Sequence, residues 1–179
     1  MDVIKAPDPK LRIVTKPVKK ITPGLLQTAK EMIKLTKSFE DPEGVGLAST
    51  QVGLDERFFV ALANNPKRGE RPEYAIFFNP KILSSSKKTK THFEGCLSTP
   101  NYWGEVIRSM VVKISYQDET GKLITKSITG LLAHIFQHEI DHLKGILFQD
   151  RVMEQEGKFY KLTGKDKTTG EDIFQEIIL

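Results

Sequence analysis

Two histidines and a glutamate in one short stretch are the residues of this chain best suited to chemistry. Positions 137–142 read Gln-His-Glu-Ile-Asp-His, which places His138 and His142 four residues apart with Glu139 beside the first. On a helix, such residues share a face and lie about 6 Å apart along the axis, so both imidazoles can reach one metal ion. This pattern is typical of metal-assisted hydrolysis, in which two histidines hold the ion and the glutamate moves protons for a water molecule.

A hydrolytic metal usually takes three protein ligands and leaves one position open for water, so a third ligand is needed. His134 also lies four residues before His138, but it is eight residues, about 12 Å, from His142, which is too far for three nitrogens to meet at one ion. The better candidate is Cys96, the single cysteine of the chain. A thiolate is a strong ligand for zinc or ferrous iron.

Each of these features also has a structural explanation when taken alone. A His-Glu-x-x-His match arises by chance on polar helices, and a lone cysteine is most often a small buried hydrophobe. A third segment, residues 44–53, gives the set more weight, because it reads Gly-Val-Gly-Leu-Ala-Ser-Thr-Gln-Val-Gly.

With these segments in hand, the chain resembles the peptide deformylase family. That family carries a glycine-hydrophobic-glycine-hydrophobic-alanine segment ending in glutamine, then Glu-Gly-Cys-Leu-Ser, then Gln-His-Glu-x-Asp-His. All three stand here in that order, at 44–51, 94–98 and 137–142, and the likeness extends from the start of the chain to about Asp150.

The resemblance implies removal of the formyl group from the N-terminal formyl-methionine of newly made polypeptides, with release of formate. Cys96, His138 and His142 are the expected metal ligands, and the ion would lower the pKa of a water in the fourth position. Glu139 is expected to accept the proton of that water and to deliver it to the departing amine.

The resemblance also implies donors for the oxyanion and a site for the peptide. The side-chain amide of Gln51 and the backbone N–H of Leu97 are the expected oxyanion donors; alternatively, Gln51 merely satisfies buried backbone. Backbone near Gly46 is expected to pair with the substrate as an added strand. The further residues expected at the substrate site are Val45, Phe93, Glu94, Gly95, Leu131, His134 and Ile135.

The family commonly works with ferrous iron, so Fe²⁺ is the expected native ion. Zn²⁺, Ni²⁺ and Co²⁺ can occupy the same ligands, and the sequence does not distinguish among them. A thiolate ligand adds negative charge and makes the site oxidisable.

Two histidines depart from the family pattern, in which an apolar pocket receives the methionine side chain. His92 and His134 lie in the segments that should line this pocket. Either they alter the side-chain preference or add a hydrogen bond to substrate, or they present an apolar ring edge and keep their nitrogens solvated.

Arg108 and Asp141 form a candidate ion pair. It would link the predicted helix that carries His138 and His142, called the metal helix below, to the predicted sheet. Asp141 lies between the metal histidines, and Arg108 follows the cysteine segment on a predicted strand. The alternative is that Arg108 faces solvent, where such a pair contributes little.

The elements that must position these residues can be predicted from periodicity and turn residues. A helix is expected from Thr22-Pro23 to about Ser38, and the metal helix from about Gly130 to Lys144, with a left-handed cap at Gly145. Strands are expected at 58–62 and 75–83, separated by a polar loop with Pro66, Gly69 and Pro72, and a hairpin at 105–117 and 122–129. This order predicts an α+β fold, with antiparallel sheets packed around a central metal-binding helix. We expect one catalytic domain over residues 1–179, with 153–179 as an extension that ends in either a helix or a strand.

Composition agrees with a small cytoplasmic enzyme. The 179 residues are 39% hydrophobic, and charged residues interrupt the opening, so no signal-peptide or membrane stretch is predicted. A formal charge of +4 predicts no recognition of a nucleic-acid sequence, although a basic surface could help the enzyme approach ribosomal RNA where formylated nascent chains emerge. The expected partners are formyl-methionyl peptides and the ribosome, and the expected state is a monomer.

Three other functions share part of this pattern. A zinc-dependent peptidase would use His138, Glu139 and His142 but would not require Cys96 or Gln51. A structural metal module would need a convincing fourth ligand, which the sequence does not offer. A deformylase-like peptide-binding protein without activity would be expected to have lost one of these residues.

Overall fold

In the part of the chain that the structure describes, two antiparallel sheets and three α-helices position the segments that carry the metal motif. The computed structural model describes residues 1–65 and 70–178. In chain order, these contain α1 (Pro23–Lys37), β1 (Gly46–Ala48), β2 (Phe58–Leu62), β3 (Tyr74–Ser85), β4 (Thr89–Gly95), β5 (Tyr102–Ser109), β6 (Val111–Gln117), β7 (Leu123–Thr129), α2 (Gly130–His142), α3 (Phe148–Glu154), β8 (Phe159–Lys165) and β9 (Asp172–Ile177). Short 3₁₀ turns lie at Pro9–Arg12 and Ser49–Val52.

The first sheet has the strand order β1-β2-β3-β6-β7 and separates α1 from α2. Side chains of a strand alternate between the two faces, and β2 is buried on both. Phe58 and Val60 pack in a core with Ala29 and Met32 of α1. Phe59 belongs to the core that includes much of α2. The metal helix therefore packs on one face of the first sheet, and α1 packs on the other.

Aromatic rings fix the position of α2 on this sheet. Phe136 of the helix meets Phe59 edge to face at 4.9 Å and Phe77 at 4.5 Å between ring centroids. Such pairs stabilise beyond the area they bury. The turn of helix before His138 is therefore anchored firmly to β2 and β3.

The second sheet has the order β4-β5-β8-β9 and leads to the cysteine. β4 and β5 pair along their length, from Thr89 opposite Ser109 to Gly95 opposite Trp103. Because β4 ends at Gly95, the next residue, Cys96, leaves the sheet at a position fixed by both strands.

Both predicted helices and the strand at 58–62 are confirmed, and α1 begins with the Thr22 hydroxyl accepting the backbone N–H of Leu25 at 3.2 Å. α2 ends at His142. Gly145 has a φ of 72°, the left-handed conformation that was predicted for the cap. The strand predicted at 75–83 extends over Tyr74–Ser85. Of the predicted loop residues, Pro66 and Gly69 lie outside the described part of the chain, whereas Pro72 lies within it.

The prediction of one strand over 105–117 is wrong. Ser109 pairs with Thr89 in the second sheet, whereas Val111 pairs with Thr129 in the first, so the chain changes sheets at Met110. Both halves keep the alternation of buried and exposed residues, which is why periodicity does not reveal the break. The hairpin that follows, β6 to β7 through Asp118, is as predicted.

Residues 159–177 of the predicted extension form a hairpin, so this part of the chain is a strand pair and not a helix. β8 and β9 pair antiparallel from Phe159 opposite Ile177 to Lys165 opposite Asp172. The short helix α3 that precedes them was not predicted. Within residues 1–65 and 70–178, no helix combines the length and apolar character needed to cross a membrane.

Candidate metal centre and active site

The structure brings the three predicted ligands together. One donor atom from each of Cys96, His138 and His142 lies within 4.8 Å of the other two. The Cys96 sulfur is 3.2 Å from Nε2 of His142. Two imidazoles and a thiolate at this spacing form a donor set suited to a divalent transition metal, with room for a further, non-protein ligand.

Glu94 orients the first of these histidines. Nδ1 of His138 donates to Oε2 of Glu94 at 3.0 Å, so Nε2 is the nitrogen left to bind an ion. The opposite nitrogen of His142, Nδ1, is buried without a hydrogen-bond partner in the described residues.

The same contacts set the charge of the ligands. Burial alone would raise the pKa of the Cys96 thiol, but the imidazoles of His142 and His138 hold that pKa well below its ordinary value. Burial likewise opposes the charge on His138, yet hydrogen bonds with Cys96 and Glu94 raise its pKa well above the usual range. The cysteine is thus prepared to act as a thiolate, the form that binds metal.

Glu139 lies buried beside the predicted ligands. It is 4% exposed, and its Oε2 has no hydrogen-bond partner among the described side chains and backbone. Burial raises the pKa of Glu139 to about 7, against the opposing effect of His138 and His142. A carboxyl group with such a pKa can both accept and return a proton near neutral pH.

Gly46 makes the space that Glu139 occupies. A Cβ atom at position 46 would lie 2.5 Å from Oε1 of Glu139. Gly46 is also the first residue of β1, which is an edge strand of the first sheet. The unpaired backbone groups of an edge strand can pair with an added strand.

Gln51 reaches the centre from the turn after β1. Its Oε1 accepts the backbone N–H of Ala48 at 2.8 Å, which fixes the amide. Its Nε2 lies 3.1 Å from the Ser98 hydroxyl and 3.4 Å from the Cys96 sulfur. One end of the amide therefore satisfies buried backbone and the other is directed at the predicted ligands, while its role as an oxyanion donor stays a prediction.

A cavity of about 150 Å³ opens beside the ligands. The predicted residues that line it, besides Gln51, Glu139 and the ligands Cys96 and His138, are Val45, Gly46, Phe93, Glu94, Gly95, Leu97, His134 and Ile135. Leu131 is 45% exposed and is not among the lining residues.

The predicted pair of Arg108 and Asp141 is present, at 2.5 Å between Nη1 and Oδ2, and both side chains are buried. Arg108 also donates to both oxygens of Glu94, at 2.8 and 3.0 Å. Arg151 of α3 binds Asp141 from the other side, at 2.8 Å. One network of charges, buried except at Arg151, thus joins the metal helix to β4, β5 and α3.

The chain is similar to known proteins over most of its length. A family model for polypeptide deformylase matches residues 1–158. The chain belongs to the polypeptide deformylase family. It is accordingly a metal-dependent hydrolase that removes the N-terminal formyl group from polypeptides.

Individual deformylases agree over most of their length. The peptide deformylase of Mesorhizobium japonicum is 39% identical over 172 residues, which cover 94% of this chain and 95% of the relative. That of Brucella suis biovar 1 is 43% identical over 150 residues, covering 84% and 83%.

Solved deformylase structures share the fold. The crystal structure of peptide deformylase from Thermotoga maritima has a TM-score of 0.72 at 38% identity, covering 84% of this chain and 95% of that one. A class I type b deformylase from Acinetobacter baumannii, solved with Met-Ala-Ser bound, has a TM-score of 0.75 at 31% identity, covering 84% and 97%.

The two unusual histidines of this deformylase lie face to face. Their rings stack at 4.1 Å between centroids, with 18° between planes. Nε2 of His134 donates to Oε1 of Glu94 at 2.8 Å. Burial and the neighbouring His134 lower the pKa of His92 to about 4, so His92 is neutral at physiological pH. The idea that both rings keep their nitrogens solvated is wrong for His134, because one of its nitrogens binds a buried carboxylate.

Sequence reasoning missed two features of the site. Glu94 was predicted only as a substrate-site residue, although it binds His134, His138 and Arg108 at once. Burial alone would raise the pKa of Glu94, but these three partners hold it well below its ordinary value. Trp103 lines the cavity and was not predicted; its position opposite Gly95 follows from strand pairing, which spacing along the chain does not show.

Proposed function

We propose that Cys96, His138 and His142 hold one divalent ion, most suitably Fe²⁺, with Zn²⁺, Ni²⁺ or Co²⁺ able to take its place. The observation that supports this most strongly is the closeness of the three donor atoms, all within 4.8 Å. Two further observations support the ion. The pKa of Cys96 is lowered, which favours the thiolate that binds metal, and Oε2 of Glu139 has no partner among the described residues, which leaves it able to accept a hydrogen bond from a water on the ion. When bound, such an ion supplies Lewis-acid activation of water and polarises the formyl carbonyl.

Glu139 is the proposed general base and acid. Its pKa of about 7 suits a group that takes a proton from the attacking water and returns it to the amine when the C–N bond breaks. Its Oε1 lies against Gly46, where the missing side chain leaves room for the carboxylate.

Gln51 and Leu97 are the proposed oxyanion donors. The amide of Gln51 is held by the backbone of Ala48, so its NH₂ group is already oriented before substrate binds. The Leu97 N–H lies in the same peptide unit as the Cys96 carbonyl, which accepts the backbone N–H of Thr99 at 2.9 Å and so restrains that unit. Fixed donors stabilise developing charge without reorganising during the reaction.

The formylated peptide is proposed to pair with β1 at Gly46 and to place its first side chain in the cavity. Val45 and Ile135 supply apolar surface there, and His134 contributes a ring held by Glu94. Because one nitrogen of that ring is already engaged, we propose that His134 positions Glu94 and leaves the preference for methionine unchanged. The bound Met-Ala-Ser of the Acinetobacter relative agrees with a peptide ligand of this kind.

The location, oligomeric state and partners of the enzyme are proposed from the same activity. Formyl-methionyl nascent chains are the substrates of such an enzyme, so we propose that it acts in the cytoplasm, as a monomer, close to the ribosomal exit. Residues 1–179 would form one catalytic domain.

Metal content tests the ligand assignment. We expect Cys96→Ala, His138→Ala and His142→Ala, purified without oxygen, to carry far less metal per chain than wild type. Glu139→Gln should keep its metal and lose roughly a hundredfold or more in turnover. His92→Ala is the matched control, since His92 is a histidine of the same site region but not a ligand. Full metal in all three ligand variants, or its loss from Glu139→Gln, would contradict the assignment.

A further inference from the structure

One face of the first sheet is covered over only part of its width. The core on the side of α1 combines that helix with residues of β1, β2 and β3, and it contains no described residue of β6 or β7. Val112, Ile114 and Tyr116 of β6 belong to the core beneath α2, so the residues between them point to the opposite side. The side of β6 and β7 that points away from α2, with the neighbouring Lys81 and Leu83 of β3, is called the open face below.

Two lysines lie side by side on the open face. Lys113 of β6 and Lys81 of β3 are both exposed, and Lys81 is paired with Ser115, two residues beyond Lys113. Adjacent strands lie about 4.8 Å apart, and residues two apart along a strand lie about 6.7 Å apart, so the two Cα atoms are separated by about 8 Å. Both ammonium groups can therefore contact one polyanion.

The turn between β3 and β4 brings two more lysines to the same end of the sheet. Lys87 and Lys88 are exposed in this turn. The backbone N–H of Ser86 donates to the carbonyl of Val111 at 2.9 Å, and the N–H of Met110 donates to the carbonyl of Lys88 at 3.0 Å. The turn is thus held beside the start of β6, so all four lysines border one end of the open face.

No acidic residue nearby along the chain offsets these lysines. Residues 74–93 and 106–117, which contain all four, include no aspartate or glutamate. None of the four forms an ion pair with any residue that the structure describes. Asp118 follows the far end of β6, about 17 Å along the strand from Lys113, and accepts the backbone N–H of Lys122. The positive charge of this end is therefore available to a ligand.

Hydroxyl groups accompany the lysines. Ser115 of β6 is paired with Thr125 of β7 on the open face, and Ser84 of β3 is paired with Lys113. Lysines, serines and threonines commonly contact the phosphate and sugar oxygens of nucleic acids, and the 2′-hydroxyl of RNA can both donate and accept. Within the described strands, no aromatic ring lies on the open face, so unpaired bases would find no ring to stack on.

The apolar side chains exposed on the open face are scattered. Leu83, Val111 and Leu123 are 51%, 37% and 68% exposed. Val111 is paired with Thr129, and Leu123 is paired with Gln117, so each lies among polar neighbours. Binding at a membrane surface requires a continuous apolar face, which these three residues do not form. The open face fits a nucleic-acid backbone better than a lipid surface.

We propose that the open face binds the phosphate backbone of double-stranded RNA without reading its sequence. A nucleic-acid duplex carries about one negative charge per 1.7 Å of its axis, so it can contact four lysines at once. A duplex suits the open face better than a single strand, because paired bases need no aromatic partner. The metal helix packs on the other side of this sheet, so bound RNA leaves the catalytic cavity open.

Fluorescence anisotropy of a labelled RNA hairpin, with a stem of about 16 base pairs, measures this binding on the full chain. We expect the logarithm of the association constant to fall against the logarithm of salt concentration with a slope of about −3 to −4. This is a loss of about a hundredfold between about 50 and 200 mM KCl. Lys81→Ala combined with Lys113→Ala should weaken binding at the lower salt concentration roughly tenfold or more and make the slope shallower by about 2.

The matched control is Lys161→Ala combined with Lys167→Ala. Both lysines are exposed on the C-terminal hairpin, in the second sheet and its turn, and their removal changes the net charge equally. We expect this control to bind the RNA hairpin nearly as tightly as wild type. Formate release by the metal-loaded chain should be the same with and without saturating RNA.

Absence of binding at about 50 mM KCl, or an equal loss of affinity in the control variant, would overturn the proposal. Capture of the chain on phosphatidylglycerol vesicles without binding to the RNA hairpin would also overturn it, because the ligand would then be a membrane. Suppression of formate release by RNA would show that RNA occupies the catalytic cavity instead of the open face. Since binding is measured apart from activity, failure of the proposed function would leave this result unaffected.

Discussion

The carboxylate of Glu139 fits beside the proposed metal ligands only because position 46 carries no side chain. A Cβ atom there would lie 2.5 Å from Oε1 and 2.9 Å from Cδ of Glu139. The side chain of Glu139 is only 4% exposed, so it has little space into which it could move. One glycine therefore fixes the position of the proposed general base.

Gly46→Ala should consequently impair catalysis more than folding. We expect kcat to fall roughly a hundredfold, because a shift of about 1 Å in a catalytic group costs this much. Metal content should stay close to that of wild type. Formate release and elemental analysis measure the two quantities. Gly164→Ala serves as the control, since a Cβ at position 164 meets nothing within 4 Å; equal activity in the two variants would contradict this account.

His134 provides a second prediction at this scale. His134→Ile removes the hydrogen bond to Glu94, which in turn orients His138. Loss of such an outer partner typically weakens metal affinity about 10- to 100-fold. We expect faster loss of metal to a chelator, with the preference for formyl-methionine over formyl-leucine peptides unchanged. A changed preference together with normal metal retention would show that His134 selects the side chain instead.

Much of the chemistry at residue scale could be predicted from the sequence. The positions of His138 and His142 follow from helical spacing, and Cys96 was the only thiol available. The role of Glu94 could not be predicted in this way, because it depends on how β4 lies against α2. No local pattern in the sequence indicates how β4 packs against α2.

At the scale of elements, the buried charges connect the metal helix to the second sheet. Arg108 of β5 reaches Asp141 of α2 and Glu94 of β4, and all three side chains are at most 8% exposed. Removing one partner leaves the remaining buried charges with fewer opposite charges around them, which is far more costly than the loss of a surface pair.

Unfolding experiments can test this connection. Arg108→Ala and Asp141→Ala should each lower the free energy of unfolding by about 3 to 5 kcal/mol. The double variant should lose less than the sum of the two, by about 0.5 to 3 kcal/mol. Lys16→Ala with Asp55→Ala is the control, because this pair is exposed and its loss should change stability little. Strict additivity for Arg108 and Asp141 would show that they act independently.

The strand elements show where periodicity stops being informative. β2 was predicted with its bounds because it is a short, fully apolar run. The segment around Met110 was predicted as one strand, because each sheet requires the same alternation of buried and exposed residues. Which sheet a strand joins is decided by pairing with distant residues such as Thr89 and Thr129.

At the scale of the whole molecule, two sheets bring together three segments that are far apart in the chain. The first sheet supports α2 and, through β1, places Gly46 and Gln51. The second sheet delivers Cys96 and extends outward through the C-terminal hairpin. The order of the three motifs predicted that these segments would come together. The C-terminal hairpin could not be predicted, because the spacing of its isoleucine and phenylalanine residues suits a helix and a strand equally.

The central claim is that these segments together hydrolyse a formyl amide. Metal-loaded chain, purified without oxygen, should release formate from formyl-Met-Ala, and Glu139→Ala should reduce the rate by roughly a hundredfold or more while the metal remains bound. Unformylated Met-Ala should stay intact. Metal-loaded wild type that releases no formate, or that cleaves the Met-Ala bond instead, would contradict the account.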